Sequence, residues 1–251
     1  MSQIRRRVPG SDPAKSIDAL MESASEHLLA MRYFECERAC LKAMTMARRQ
    51  RDFERMARIC MPLQEARRQR RQMAMDAGVV AVVDALKRVP RPLVPGVLIV
   101  QPPLIGAEAK SILESALARD VPVEVLTREP MTEARQWPIV AVGEQVVRTK
   151  VAPPAVARWT GTGVTRDELT GLPDRAWVEM AMEALGDAAI AKVRPDDPPE
   201  WQVDDLLEFL EALPTHEKLH QALERACRAA IGSAPPKLPR RRGLVDDPFS
   251  F

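Results

Sequence analysis

Val97-Leu98-Ile99-Val100 is an unbroken apolar run, rich in β-branched side chains, that ends at Gln101-Pro102-Pro103. A short apolar run closed by prolines is typical of a strand that is buried on both faces. Residues 107–119 then follow with helical periodicity, and residues 121–126 form a second apolar run. The order strand, helix, strand predicts a β-α-β unit with parallel strands and a right-handed crossover.

A β-hairpin is predicted after this unit. Residues 138–142 and 146–151 are short, valine-rich runs, and Gly143-Glu144 between them supplies the turn. Together with the β-α-β unit they give a small mixed sheet of about four strands. The apolar run at residues 79–83 leads into a proline-rich break and is not assigned to the sheet.

Three helices are predicted ahead of the sheet. Apolar residues recur every three or four positions over residues 16–28 and again over residues 34–49. A third helix is expected to begin after Asp52, whose carboxylate suits an N-cap. Pro62 lies inside this helix and is expected to kink or split it.

The first two of these helices resemble a tetratricopeptide repeat. Ala24 on the first helix, and Cys36 and Ala43 on the second, stand where that family has small core residues, and Cys40 stands at a bulky position. The resemblance covers about one repeat and one further helix. It implies a helical hairpin of the kind that, in arrays, offers a concave surface for binding other proteins.

A loop and three more helices are predicted after the sheet. Residues 152–171 contain prolines and glycines and are expected to form the loop. The helices are expected at residues 174–185, 203–213 and 215–231. The last one has Thr215 as its expected N-cap.

The fold class predicted from these elements is α+β, with an N-terminal tetratricopeptide-like hairpin, a small mixed sheet containing a β-α-β unit, and C-terminal helices. The expected organisation is a flexible basic arm at 1–15, a helical domain at 16–78, an α/β domain with C-terminal helices at 79–231, and a disordered tail at 232–251.

The composition narrows the classes of function. Net charge is +2, hydrophobic residues make up 46% and aromatic residues 4%. No apolar run approaches the ~18 residues that span a bilayer, and the four cysteines form no C-x-x-C pair. We therefore expect a bacterial cytoplasmic protein without a membrane segment and without a cofactor.

His216-Glu217-Lys218-Leu219-His220 matches the H-E-x-x-H signature of zinc metallopeptidases. On a helix the two histidines lie one turn apart and can share Zn²⁺, with Glu217 as general base for the metal-bound water. The resemblance implies a zinc hydrolase using His216, Glu217 and His220. Lys218 between the ligands departs from the signature and favours a solvated helical turn. We expect no metal here and keep the hydrolase as an alternative.

Arg67, Arg68, Arg70 and Arg71 cluster late in the third helix and form a candidate basic surface. Such a run can contact nucleic-acid phosphates or an acidic partner. Acidic residues flank it, which favours a solvated helix face. A nucleic-acid accessory factor is therefore a second alternative.

Residues 246–251 read Asp-Asp-Pro-Phe-Ser-Phe in an otherwise polar stretch. They resemble the tail of bacterial single-stranded DNA-binding proteins, which docks partner proteins. The resemblance implies that the partner-binding residues are Asp246, Asp247, Pro248, Phe249 and Phe251. The alternative is that the two phenylalanines fold back onto the chain's own surface, and either arrangement would bury apolar area.

The function predicted from these patterns is that of a non-enzymatic interaction or adaptor protein. The helical hairpin would supply a binding surface, and the tail would supply a linear peptide. The sequence identifies neither a partner nor a pathway.

Overall fold

The computed structural model describes residues 13–154 and 173–237. Within these ranges the chain forms seven α-helices and a five-stranded mixed sheet, which confirms the predicted α+β class. The helices are α1 (Pro13–Leu29), α2 (Tyr33–Arg49), α3 (Phe53–Asp76), α4 (Gly106–Leu117), α5 (Arg175–Lys192), α6 (Pro199–Ala212) and α7 (Glu217–Ala230). The strands are β1 (Val80–Val83), β2 (Gly96–Val100), β3 (Val123–Arg128), β4 (Trp137–Val142) and β5 (Val146–Val151).

The strands lie in the sheet in chain order. β1, β2 and β3 are parallel, which confirms the parallel pairing predicted for the β-α-β unit, and β4 and β5 are antiparallel. The expected number of about four strands is too low, because residues 80–83 pair with β2 as a fifth strand. That strand is only four residues long and depends on β2 for its hydrogen bonds.

Both faces of the sheet are covered. Leu98 and Val100 of β2 pack with Ile112 of α4 on one face, whereas Val97 and Ile99 point into a larger core on the other face. That larger core contains residues of α3, α5 and α7. A strand between two apolar layers carries apolar residues at every position, which is the pattern read from residues 97–100.

The predicted hairpin is confirmed, and its turn fixes the position of α6. Val142 pairs with Val146 across the turn. A Cβ added to Gly143 would lie 2.7 Å from the backbone nitrogen of Ala212, the last residue of α6. Glycine is therefore the residue that lets the end of α6 approach the hairpin backbone.

Two tryptophans hold α5 against the sheet. Asp174 caps α5 by accepting a hydrogen bond from the Trp177 backbone N–H at 2.8 Å. The Trp177 indole donates to the Ala152 carbonyl at 2.8 Å and meets Trp137 of β4 edge to face, with ring centroids 5.4 Å apart. α5 extends to Lys192, well beyond the predicted end at residue 185.

α3 is the longest helix described, with 24 residues. Asp52 caps it as predicted, accepting from the Arg55 backbone N–H at 3.0 Å. Pro62 does not split it, because the helix is continuous from Phe53 to Asp76. The helix contacts α2, α7, β2 and β3, and these partners support it where the proline removes one backbone donor.

One core joins the helices and the sheet. It extends from Ile17 in α1 to Ala230 in α7 and includes Ile139 at the centre of β4. Its members therefore lie on both sides of the predicted domain boundary at residues 78 and 79. α1, α2 and α3 form successive helical hairpins, while their kinship to tetratricopeptide repeats stays a prediction.

Replacing Ile139 with alanine should lower the free energy of unfolding by about 2–5 kcal/mol, because the side chain is fully buried and would leave a cavity. Val146→Ala on the neighbouring strand is the matched control. That side chain is 44% exposed, so we expect a loss below about 1 kcal/mol. Urea unfolding of both variants tests the pair, and equal losses would contradict the described packing.

Candidate functional site

The start of α7 contains both histidines of the H-E-x-x-H segment. The helix begins at Glu217, so His216 is its N-cap, and His216 Nδ1 accepts a hydrogen bond from the Leu219 backbone N–H at 3.3 Å. The prediction that Thr215 is the N-cap is wrong, since the Thr215 hydroxyl instead donates to Glu124 Oε2 at 2.9 Å. Because His216 precedes the helix, the two imidazoles do not project from consecutive helical turns as the zinc-peptidase signature requires.

Both imidazoles are buried. His220 is 1% exposed, and its Nε2 lies 2.9 Å from the Pro214 carbonyl oxygen, to which it donates. Burial lowers the pKa of His220 to about 3, and the nearby positive charge of Arg67 acts in the same direction. Burial also lowers the pKa of His216, with Glu183 opposing the shift. Both rings are therefore neutral at neutral pH.

Two of the four arginines predicted to form a basic surface are inside the protein. Arg67 Nε donates to Glu37 Oε1 at 2.7 Å, and Arg70 pairs with the other oxygen of the same carboxylate. Arg67 is 6% exposed and Arg70 is 2% exposed. Burial lowers the pKa of Arg67 to about 10, so it keeps its charge at neutral pH. The guanidinium of Arg70 also lies 4.6 Å from the centre of the Phe34 ring.

The other two arginines, Arg68 and Arg71, pair with carboxylates other than Glu37. Arg68 is exposed and pairs with Glu65 on its own helix at 2.8 Å. Arg71 is largely buried, and its guanidinium lies 3.6 Å from Glu183 Oε1 of α5. The four residues therefore do not form one exposed basic surface, because Glu37 draws two of them into the core.

Glu124 is a buried carboxyl group that the sequence analysis missed. It lies in β3 and is 6% exposed, and burial raises its pKa while Arg71 and Arg70 oppose the shift. The signal was a carboxylate inside the apolar run at residues 121–126. Glu124 bonds to Thr215 and lies near Arg70, which pairs with Glu37. Arg67 pairs with Glu37 as well and lies near His220, which is also near His216. We name these linked residues the buried polar cluster: Glu37, Arg67, Arg70, Glu124, Thr215, His216 and His220.

A second polar group lies between α5 and α7. Possible ligand atoms of Glu183, Asp187 and His216 all lie within 4.8 Å of one another. Lys218 Nζ lies 3.1 Å from Glu183 Oε2 and 2.9 Å from Asp187 Oδ1. Of these three residues only His216 was a candidate from its sequence pattern, since Glu183 and Asp187 precede it by about thirty positions.

A groove of about 280 Å³ opens between α2, α3, α6 and α7. Arg49 is exposed at its rim, whereas Arg48 beside it is held by Asp204 at 2.7 Å. The apolar part of its lining consists of Leu41, Met44, Leu63, Leu207, Leu210 and Leu223.

The four cysteines are buried and free. Cys36 and Cys40 occupy the inner side of α2, as predicted. The pKa of the Cys40 thiol is raised by its hydrogen bond with Cys36 and by burial, and that of Cys60 by its hydrogen bond with Cys227 and by burial. The Cys40 and Cys60 thiols therefore stay protonated and behave as small core residues.

The tail residues predicted to bind a partner, Asp246, Asp247, Pro248, Phe249 and Phe251, lie outside the described residues. Among the helices of residues 13–154 and 173–237, none is both long and apolar enough to cross a membrane. Comparison with known protein families, with curated proteins and with solved structures finds no match to this chain.

Replacing Glu37 with glutamine should lower the free energy of unfolding by about 3–5 kcal/mol, because it leaves two buried guanidinium groups without a carboxylate. Glu35→Gln on the same helix is the control. Its side chain is 40% exposed, and its carboxylate lies 3.9 Å from the exposed Arg38 guanidinium, which makes a weak ion pair. The loss of unfolding free energy should therefore stay below about 1 kcal/mol. Similar urea midpoints for the two variants would contradict the buried pairing.

Replacing His220 with glutamine, whose amide can donate to the same carbonyl, should make the protein less sensitive to acid. The unfolded chain protonates this ring near its ordinary pKa of 6.5, whereas the folded chain does so only near 3. The stability that the neutral ring contributes is present above pH 6.5 and is lost as the pH falls toward 3. Urea unfolding at pH 7 and pH 5 should show the native chain losing on the order of 2 kcal/mol more than the variant. Equal losses of unfolding free energy in the native chain and the variant would mean that the pKa of His220 in the folded protein is close to its ordinary value.

Proposed function

We propose that this chain is a non-enzymatic adaptor protein that holds a short acidic and aromatic segment of a partner protein in the groove between α2, α3, α6 and α7. The observation that carries the proposal is the apolar lining of this groove, in which Leu41 is 41% exposed and Leu207 is half-buried, while the other apolar lining residues are buried beneath them. Its volume, about 280 Å³, suits a few side chains and is below the usual range for drug-sized ligands.

Ion pairs join two of the helices that form the walls of the groove. Arg48 of α2 bonds to Asp204 and Glu200 of α6, at 2.7 and 3.1 Å. Arg51 also bonds to Glu200, at 2.6 Å. These ion pairs join the two helices that face each other across the groove. A groove with rigid walls binds a segment without first ordering itself, which lowers the entropic cost of binding.

The charge at the rim indicates the chemistry of the segment. Arg49 and Glu211 are both exposed there, so a carboxylate of the bound segment would find a cation beside the apolar lining on the Arg49 side of the groove. An aromatic side chain in the groove would contribute about 1.5–3 kcal/mol by burial. Segments that combine acidic and aromatic residues are therefore the favoured occupants.

The chain's own residues 246–251 have this chemistry and supply a probe. The segment after Lys237 can span up to about 45 Å when extended, which also makes it a competitor for the groove. We further propose that the adaptor works in the cytoplasm, because its four free cysteines suit a reducing compartment.

Binding of a labelled peptide with the sequence of residues 243–251, followed by fluorescence anisotropy, tests the proposal. The receptor is the full-length chain with Phe249→Ala and Phe251→Ala, so that its own tail does not compete. We expect micromolar affinity, and Leu41→Glu in the groove should weaken it by at least about tenfold.

Met61→Glu is the matched control, because Met61 is 73% exposed on α3 and does not line the groove. It should change the affinity by less than about twofold. Absence of binding, or equal losses in the two variants, would contradict the groove as the binding site. Weaker binding by the native chain than by the receptor would show that its own tail enters the groove.

A further inference from the structure

Three polar side chains from two helices converge beside the start of α7. Glu183 and Asp187 are four residues apart on α5, so their carboxylates lie on one face of that helix. His216, the N-cap of α7, faces them, with its Nε2 3.5 Å from Glu183 Oε2. We propose that Glu183, Asp187 and His216 bind a zinc ion.

The separation of the ligand atoms suits a tetrahedral metal. Zinc bonds of 2.0–2.2 Å to nitrogen and oxygen place two tetrahedral ligand atoms about 3.4 Å apart. The observed Nε2 to Oε2 distance is 3.5 Å, and all three ligand atoms fall within 4.8 Å. A cation between His216 and Glu183 therefore requires little movement, and the Asp187 carboxylate closes in from the next turn of α5.

The state of the His216 ring is an independent indication of a ligand. The side chain is 2% exposed, and Nε2 makes no hydrogen bond to any residue in the described parts of the chain. A buried polar atom without a partner is unfavourable, and native proteins rarely leave one. Nε2 lies beside the carboxylate pair, and once the ring proton is on Nδ1 the lone pair of Nε2 can bind a cation held there.

Gly186 leaves the space that the His216 ring occupies. It lies between the two carboxylates on α5, and a Cβ at this position would overlap the His216 imidazole. A glycine inside a helix costs stability relative to alanine. The His216 ring occupies the space where a Cβ would lie, and this explains the glycine at position 186.

The ammonium group of Lys218 already places a positive charge beside the two carboxylates. It contacts both of them, yet half of the side chain is exposed and can swing into solvent. Arg71 also approaches Glu183, at 3.6 Å. Zinc therefore competes with Lys218 for the same oxygens, and removal of Lys218 should strengthen zinc binding.

An imidazole favours zinc over magnesium or calcium, which prefer oxygen ligands. Binding through Nε2 leaves the ring proton on Nδ1, so the 3.3 Å hydrogen bond from the Leu219 backbone is given up. This site differs from the H-E-x-x-H arrangement, because it uses neither Glu217 nor His220, whose Nε2 is engaged by the Pro214 carbonyl.

Calorimetric titration of zinc chloride into the chelator-stripped, full-length protein tests the site. We expect one zinc per chain, with an affinity at least about tenfold lower in His216→Asn and in Glu183→Gln. Asparagine is a good N-cap and can accept from the same backbone N–H, so α7 should still form. Lys218→Met should raise the affinity by about fivefold or more, because it removes the competing cation.

Glu217→Gln is the matched control and should leave the affinity unchanged. The proposal is overturned if neither the native chain nor Lys218→Met binds zinc, or if His216→Asn and Asp187→Asn bind as the native chain does. It is also overturned if Glu217→Gln abolishes binding, because the ion would then belong to the 216–220 segment. If His216→Asn fails to fold, Asp187→Asn and Lys218→Met decide the result, since both change exposed side chains.

Discussion

One carboxylate, that of Glu37 in α2, pairs with two buried arginines of α3, and Glu124 supplies a second negative charge near Arg70. A buried guanidinium without its counter-ion costs several kcal/mol, so α2 and α3 are restricted to the register in which Glu37 reaches both Arg67 and Arg70. α3 in turn packs against β2, β3 and α7. The hydrogen bond between Thr215 and Glu124 then fixes the start of α7 over β3. The positions of the sheet and of the C-terminal helices follow from this chain of contacts.

The same contacts determine which surfaces remain for function. Four of the polar residues that looked functional in sequence lie in the buried polar cluster between the helices and the sheet: Arg67, Arg70, His216 and His220. Two features of the described residues carry the proposals above: the groove, and the pair of carboxylates facing His216. Both include α7, since Leu223 lines the groove and His216 caps the helix. A zinc ion between α5 and α7 would therefore act on a helix that also forms a wall of the proposed binding site.

Local patterns predicted β2, α4, the hairpin, the Asp52 cap and the apolar stripes of α2 and α3, because periodicity and capping depend on neighbouring residues. Other features depend on partners that are distant in sequence. β1 forms only by pairing with β2. Arg67 is buried because of a carboxylate 30 positions away, although its residue type predicts a surface position. His216 faces acidic residues on a different helix, and no spacing rule connects them.

The buried polar cluster makes the helical layer and the sheet one cooperative unit. Native-state hydrogen exchange, followed by mass spectrometry in increasing urea, tests this claim directly. Peptides containing Glu37, Arg67 and Arg70 should share one opening free energy with peptides from β2 and β3, because breaking the cluster separates the layers. Exchange of α1 to α3 through a separate opening of lower free energy, while the sheet stays protected, would contradict the account.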